Sequence, residues 1–428
     1  LILFTCKELL GKFRPNLIII RLNLSKLLAD KIYQSNSDSK KTAKPVVIIA
    51  ISGIALGVIA MLLSVMVVTG FKNEISDKVT GFMSAIRIHQ LANNNSFEEI
   101  PISSNQKYLQ EIRNTKGVTS IQNYAHKAGI LKAKDEIQGV VLKGIDNTFD
   151  WSFFKNKITQ GDKIDVNNSN KNEALVSKNL CDKLNLKVGD SFLIFFIQED
   201  RKVRKFIVKG IYNTGLSEDF DNLYIFCPMS LIQKVNNWDS TEVAGFEIKT
   251  DNLNHLDTIT KEIYDKVDYQ TNVQNVKELY PQIFNWLELQ NLNVIVIIVL
   301  ISLIAGTTMI STLLILILEN RRTIGLLKAL GASDQTLSET FLKLSSKILI
   351  RGLLIGNMVG LGLAFLQLQT GFITLDETSY YIKSVPINFS YTGIILINLG
   401  TYIICMLMLL IPGKIISKIN PIESLRFD

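Results

Sequence analysis

Four stretches of this chain run apolar for longer than a globular core requires. Val46–Phe71, Leu289–Leu318 and Ser384–Ile411 contain no Asp, Glu, Lys or Arg, and Ile348–Leu368 contains only Arg351. A bilayer core takes about 20 consecutive apolar residues in helical form, so each run predicts a membrane-spanning helix. Buried helices of large soluble proteins seldom run that far without a polar face. Arg351 lies near the start of its run, after Lys347, where a long basic side chain can reach back to the headgroups.

Between the first two runs the pattern changes. MSAIRIHQL, AGILKAK, IQGVVLKGI, DSFLIFFI, VRKFIVKGIY, NLYIFC and AGFEIKT are rich in Ile, Val and Phe, often alternating with polar residues, which predicts strands. NQKYLQEIRN, VSKNLCDKLN, MSLIQKVNN and LDTITKEIYDKV have helical spacing, and Gly189-Asp190 in LKVGD is a turn signal. This is an α+β domain large enough for its own core. Near its end Val276, Leu279, Tyr280, Ile283, Phe284 and Leu287 follow helical spacing straight into the second run. Pro281 is expected to kink that helix, and Trp286 to sit at the membrane interface.

The predicted order is an N-terminal segment (1–45) with an amphipathic helix at about 22–33, built on Leu24, Leu27, Leu28 and Ile32. The first span (46–71), exterior domain (72–274), and stalk helix with second span (275–318) follow. A charged connector (319–347), third span (348–368), short exterior loop (369–389), fourth span (390–411) and tail (412–428) complete it. The fold class is thus an integral membrane α-helical bundle of four transmembrane helices, with a large α+β domain inserted between the first two. The first span is expected to serve as a signal anchor.

The formal charge of +7 is informative through its location. Residues 1–45 hold nine Lys and Arg against three acids, the connector and tail are also basic, and loop 369–384 has only Lys383 as a base. The positive-inside rule then places both termini and the connector in the cytoplasm and the α+β domain outside. The basic excess reports topology and contact with membrane lipid; no nucleic-acid partner is expected.

The chemistry of an enzyme is missing. There is no GxxxxGK[ST] phosphate loop and no GxSxG, and His89, His126 and His255 lack metal-ligand spacing. No metal, cofactor or catalytic residue is expected on this chain. Cys181 and Cys227 fall in the exterior domain, and spacing alone leaves a bridge between them open. Gly53 and Gly57, and Gly352, Gly356 and Gly360, recur at four-residue intervals, which suits close helix packing; the second stripe fits packing within the chain or a dimer seam. The connector, ENRRTIGLLKALGASD, admits two readings: a docking segment for a cytosolic partner, or a solvated loop pinned to anionic lipid by Arg321 and Arg322.

SGIALGVIAMLLSVMVVTGFKNEI, NEALVSKNLCDKLNLKVGDSF, LENRRTIGLLKALGAS and IPGKIISKINPIESLRFD together resemble the permeases of the mechanotransmitting ABC transporter family, with FtsX-like and MacB-like periplasmic domains. Within it the chain is most similar to the Lol-type lipoprotein-releasing permeases. The resemblance implies the bacterial inner membrane, a periplasmic exterior domain, a separate ABC ATPase that binds ATP and Mg, and a second permease subunit, identical or not. It further implies lipoprotein substrates and a periplasmic lipoprotein carrier. Glu319, Arg321, Arg322, Ile324, Leu327, Lys328 and Leu330 would contact the ATPase. Met61, Val65 and Val68, with Val294, Ile298 and Ile301, would line an acyl-chain cavity or face lipid. Some relatives carry a long carrier-gripping hook after the VGD strand; here that hairpin, Phe196 to Phe206, is short and charged. The alternatives are export of another amphiphile or peptide with an outer-membrane partner, and an FtsX-like switch controlling a periplasmic hydrolase.

Overall fold

The computed structural model describes residues 25–31, 43–91, 99–133, 136–167, 172–196, 202–216, 220–376 and 380–413. They form two compact units: one is Phe71–Glu288 with Phe372–Pro386, and the other comprises the remaining apolar helices and their connections. The short loop expected to stand apart after the third span, and the stalk segment before the second, thus belong to the sheet unit.

Among the described residues, four helices are long and apolar enough to cross a membrane. The first long helix is Ala43–Met83, the second Pro281–Glu319, the third Asp334–Thr370 and the fourth Tyr391–Met408. Glycine lets the first and third approach closely. A Cβ at Gly352 would fall 2.7 Å from Ile54, and one at Gly356 2.8 Å from Val58; Gly360 packs on Ile59 and Leu62. The stripe is therefore filled by this chain's own first helix. Gly57 meets Ile301 and Gly53 meets Thr308 on the second helix in the same way. The third and fourth helices are joined by a reciprocal amide pair, Asn357 Nδ2 to Asn398 Oδ1 at 2.6 Å and Asn398 Nδ2 to Asn357 Oδ1 at 2.9 Å. Of the expected N-terminal amphipathic face, Leu24 and Ile32 lie outside the described residues. Helix 25–31 buries Ser25 and Ala29 and leaves Leu27 exposed. Leu28 is half-buried, and the helix's polar contacts go to the third helix, Lys343 donating to Ser25 and Lys347 pairing with Asp30.

The sheet unit contains strands β1 (Ile86–Gln90), β2 (Ile102–Ser103), β3 (Val118–Ala133), β4 (Glu136–Ile145), β5 (Ile158–Gly161) and β6 (Glu173–Ser177). They are followed by β7 (Ser191–Phe196), β8 (Lys202–Tyr212), β9 (Tyr224–Pro228), β10 (Glu242–Val243), β11 (Gly245–Thr250) and β12 (Thr271–Asn275). The main sheet runs β12-β1-β11-β3-β4-β9-β6-β8-β5, and β7 bridges β8 back to β3. Strands β3, β4, β9, β6, β8 and β7 thereby close on themselves, which removes the edges that an open sheet would expose. Strand β3 is 16 residues long, far beyond AGILKAK, because its first half pairs β11 and its second half β4 and β7. The hairpin after VGD is paired to Phe196↔Lys202; residues 197–201 lie outside the description, as does the tail from 414. Cys181 and Cys227 are free and buried, and burial pushes the Cys181 thiol up to about 12.

Candidate functional site: the connector and the helix–sheet joint

Two constructions stand out, one in each unit. In the sheet unit, the first long helix does not stop where its apolar run ends. Ile75, Val79, Phe82 and Met83 recur at helical spacing and are buried in the domain core. Phe82 is ringed by Phe154, Tyr212, Phe220, Tyr224 and Phe226, with centroids 5.3 to 6.1 Å away. The helix ends at Met83, and Ser84, with φ +65°, turns the chain into β1. Strand β1 pairs with β12 in the register Ile86↔Asn275, and Val276 N–H donates to Ala85 C=O at 2.9 Å. The end of one long helix and the approach to the next are therefore stitched together on adjacent strands.

The approach is not one continuous helix. A short helix, Val276–Leu279, starts with a capping box in which Asn275 accepts from Glu278 N–H and Glu278 accepts from Asn275 N–H. Tyr280 leaves helical geometry, and Pro281 opens the second long helix. Proline, lacking N–H, is suited to a first turn whose donors have no helical partner, so Pro281 starts a helix here and kinks none.

A charge cluster locks this joint. Lys143 Nζ donates to Glu247 Oε1 and Oε2 at 2.7 and 2.8 Å and to the Phe82 carbonyl at 3.1 Å, and both side chains are fully buried. The ammonium thus satisfies a carbonyl of the helix's last turn, where a positive charge is favoured by the helix dipole. Gln122 Nε2 donates to Glu247 Oε2 at 2.8 Å, and the Arg87 guanidinium lies 3.7 Å from Oε1 and over the Tyr124 ring. Burial pushes the Glu247 carboxyl up, but Lys143 and Arg87 more than offset it and hold it below the usual carboxylate range. Further along β3, His126 is buried against Glu99, its Nδ1 3.1 Å from Oε1. Burial pushes its pKa below the ordinary value, against the pull of Glu99.

In the helical unit, the connector is two helical pieces. Arg321–Ala329 forms a short helix closed by Gly331 at φ +93°. Gly331 N–H donates to Lys328 C=O and Ala332 N–H to Leu327 C=O, both at 2.9 Å, the bond pair of a Schellman cap. Ser333 then caps the third long helix by accepting from Thr336 N–H.

This geometry sorts the expected contact residues. Ile324 is 1% exposed and packs with Leu313, Leu337 and Phe341, so it holds the connector to its own bundle and is closed to a partner. Leu327 is half-buried on the same cluster, and Lys328 is tied to Asp334 at 2.9 Å. Glu319, Arg321 and Arg322 are exposed. Leu330 is 77% exposed and Leu326 52%. Six residues turn a helix by about 240° net, so Leu330 cannot share a face with Ile324, whereas Leu326 and Leu330, four apart, do. Leu326 was not among the expected contacts, although that spacing would have found it.

Several of the expected acyl-chain residues lie at the contact between the first and second long helices. Met61 is fully buried, with Ser302 Oγ 3.8 Å from its sulfur. Ile301 touches Gly57, and Val65 and Ile298 pack on the same cluster; Val294 is buried and Val68 half-buried. Small residues on the first helix allow that close approach. Among the described residues no group of His, Cys, Asp and Glu could hold a metal ion.

Comparison with known proteins gives two family matches: a MacB-like periplasmic core domain over residues 47–283 and an FtsX-like permease C-terminal region over residues 295–421. The chain is similar to the lipoprotein-releasing system transmembrane protein LolC of Xylella fastidiosa, at 22% identity over 396 residues, covering 89% of this chain and 93% of that one. It is similar to the corresponding LolE of Haemophilus influenzae at 20% identity over 395 residues, covering 87% and 92%. Among solved structures, the periplasmic region of MacB from Actinobacillus actinomycetemcomitans matches with a TM-score of 0.33 at 15% identity, covering 48% of this chain and 96% of that one.

Proposed function

The chain belongs to the family of the MacB-like periplasmic core domain, and from that premise we propose that it is the permease subunit of an ABC transporter that releases lipoproteins from the inner membrane. What carries this reading is that similarity to two lipoprotein-releasing subunits extends over nearly the whole length of both partners. In this reading the four apolar helices cross the inner membrane, the sheet unit stands in the periplasm, and both termini and the connector are cytoplasmic. A separate ATPase binds ATP and Mg, a second permease subunit completes the assembly, and a soluble periplasmic carrier receives the cargo.

The connector would be the receiving surface for that ATPase. Leu326 and Leu330 offer an exposed apolar pair flanked by Arg321, Arg322 and Glu319, and apolar anchors within a charged rim are what a docking contact requires. Extracting a lipid anchor is costly, at about 0.8 kcal/mol per methylene, so an external energy source is needed. The test is reconstitution: the permease, its ATPase and a soluble carrier in proteoliposomes holding a labelled lipoprotein. ATP should move the label into the soluble fraction; label retained in the membrane with ATP hydrolysis running would defeat the proposal.

A further inference from the structure

A cavity of about 550 Å³ opens in the sheet unit between the outer part of the first long helix and the segment that ends β11. Lys72, Asn73, Ser76, Asp77 and Thr80 line it from the helix, and their spacing puts them on one stripe. The stripe beside it, Ile75, Val79 and Phe82, is the one buried in the core. The facing wall includes Thr250, Asp251, Asn252 and Asn254.

The lining selects a class of ligand. Asn, Ser and Thr side chains can each donate and accept, which matches the alternating N–H and C=O of an extended polypeptide. A phosphate site would gather cations, but Asp77 and Asp251 share this lining with Lys72, and Lys249 is already paired with Asp150 at 2.8 Å. From Lys72 to Thr80 the helix rises about 12 Å at 1.5 Å per residue, room for about four extended residues. Lys72 is also the first charge after the uncharged run Val46–Phe71, so the cavity begins where the hydrocarbon layer ends. A chain entering there has just left the membrane surface.

We infer that this cavity seats the extended polar peptide that immediately follows a lipid anchor, holding the cargo's linker beside the first long helix. The inference rests on the lipoprotein-releasing reading and adds a peptide subsite to it. It is tested with the photo-reactive residue p-benzoylphenylalanine at Asn73 or Asn254, both exposed, in the assembled transporter. The assembly sits in vesicles of phosphatidylethanolamine and phosphatidylglycerol with one purified triacylated lipoprotein and no ATP. The expected result is an adduct mapping to the residues just after the acylated cysteine. Its yield should be about tenfold above that from the same residue at exposed Glu111, and Asn252→Trp should lower it about tenfold. Adducts to phospholipid alone, or yields no higher than at Glu111, overturn the inference. If a probe at Ile301 captures the lipoprotein while the cavity positions do not, the subsite falls and the releasing reading stands. If no position captures it, both fall.

Discussion

At the joint, Lys143 and Glu247 are fully buried in contact with each other, and Lys143 also holds the last turn of the first long helix; at the connector, Arg321, Arg322 and Leu330 are exposed, and Ile324 is the large side chain that is buried to hold the short helix down. One region commits its charges and large side chains inward, and the other keeps several of them at the surface. Buried charges held by several hydrogen bonds fix one geometry, because each group left without its partner is strongly destabilising. An exposed apolar pair stabilises nothing until something covers it. The contrast teaches which region holds a single geometry and which keeps an apolar surface available for something to cover.

The largest expected effect comes from breaking the rigid side. Glu247→Leu leaves Lys143 buried without its counter-charge and should cost about 3–5 kcal/mol. Pairing it with Lys143→Met should recover most of that loss, because an apolar pair of similar size replaces a buried ion pair at little cost. Intrinsic fluorescence is a suitable readout: the three tryptophans, Trp151, Trp238 and Trp286, all lie in the sheet unit. A melting curve of the full chain in detergent therefore reports that unit, and equal curves for the single and double variants would refute the locking role.

Acidification should strain the same region less. Folded His126 is buried with its pKa lowered from 6.5, and the unfolded chain binds the proton near that ordinary value. The stability held by the neutral ring is therefore complete above about pH 6.5 and is lost as pH falls toward the folded pKa. The fluorescence melt should drop as pH falls below about 6.5, and His126→Asn should reduce the drop. An unchanged pH dependence in that variant would remove His126 from the account.

A smaller effect belongs to the helical unit, where neutral amides do the joining. Asn398→Leu breaks the pair with Asn357 and should cost about 1 kcal/mol, the scale of hydrogen bonds between membrane helices. Cys405, free and buried about two turns further along the same face of the fourth helix, should then react faster with a thiol reagent, measured by mass spectrometry at that residue. An unaltered rate would mean that the glycine contacts alone hold the bundle.

How much of this the sequence disclosed follows from the range of the interactions. The four apolar runs, the connector and most strands depend on local period and composition, which can be read from neighbouring residues. The extension of the first helix to Met83 was present as Ile75, Val79, Phe82 and Met83, while the charges beginning at Lys72 mark the end of the apolar run and not of the helix. Leu326 was hidden for a different reason: the apolar residues of a nine-residue helix fall on two faces, and only packing shows which is spent on Ile324. Lys143 and Glu247 are 104 residues apart, and nothing short of the strand order β11-β3-β4 brings them together. The amide pair, 41 residues apart, needed the helix packing in the same way.

The central claim is that the connector's exposed face is the receiving surface for the ATPase. It is tested most directly by Leu326→Asp with Leu330→Asp, both at exposed positions, in the proteoliposome release measurement. The account predicts that the variant chain still inserts and still binds labelled lipoprotein, while ATP-driven transfer to the soluble carrier falls by at least about 100-fold, the loss expected when the anchors of a docking contact are removed. Transfer at the unmodified rate would contradict it.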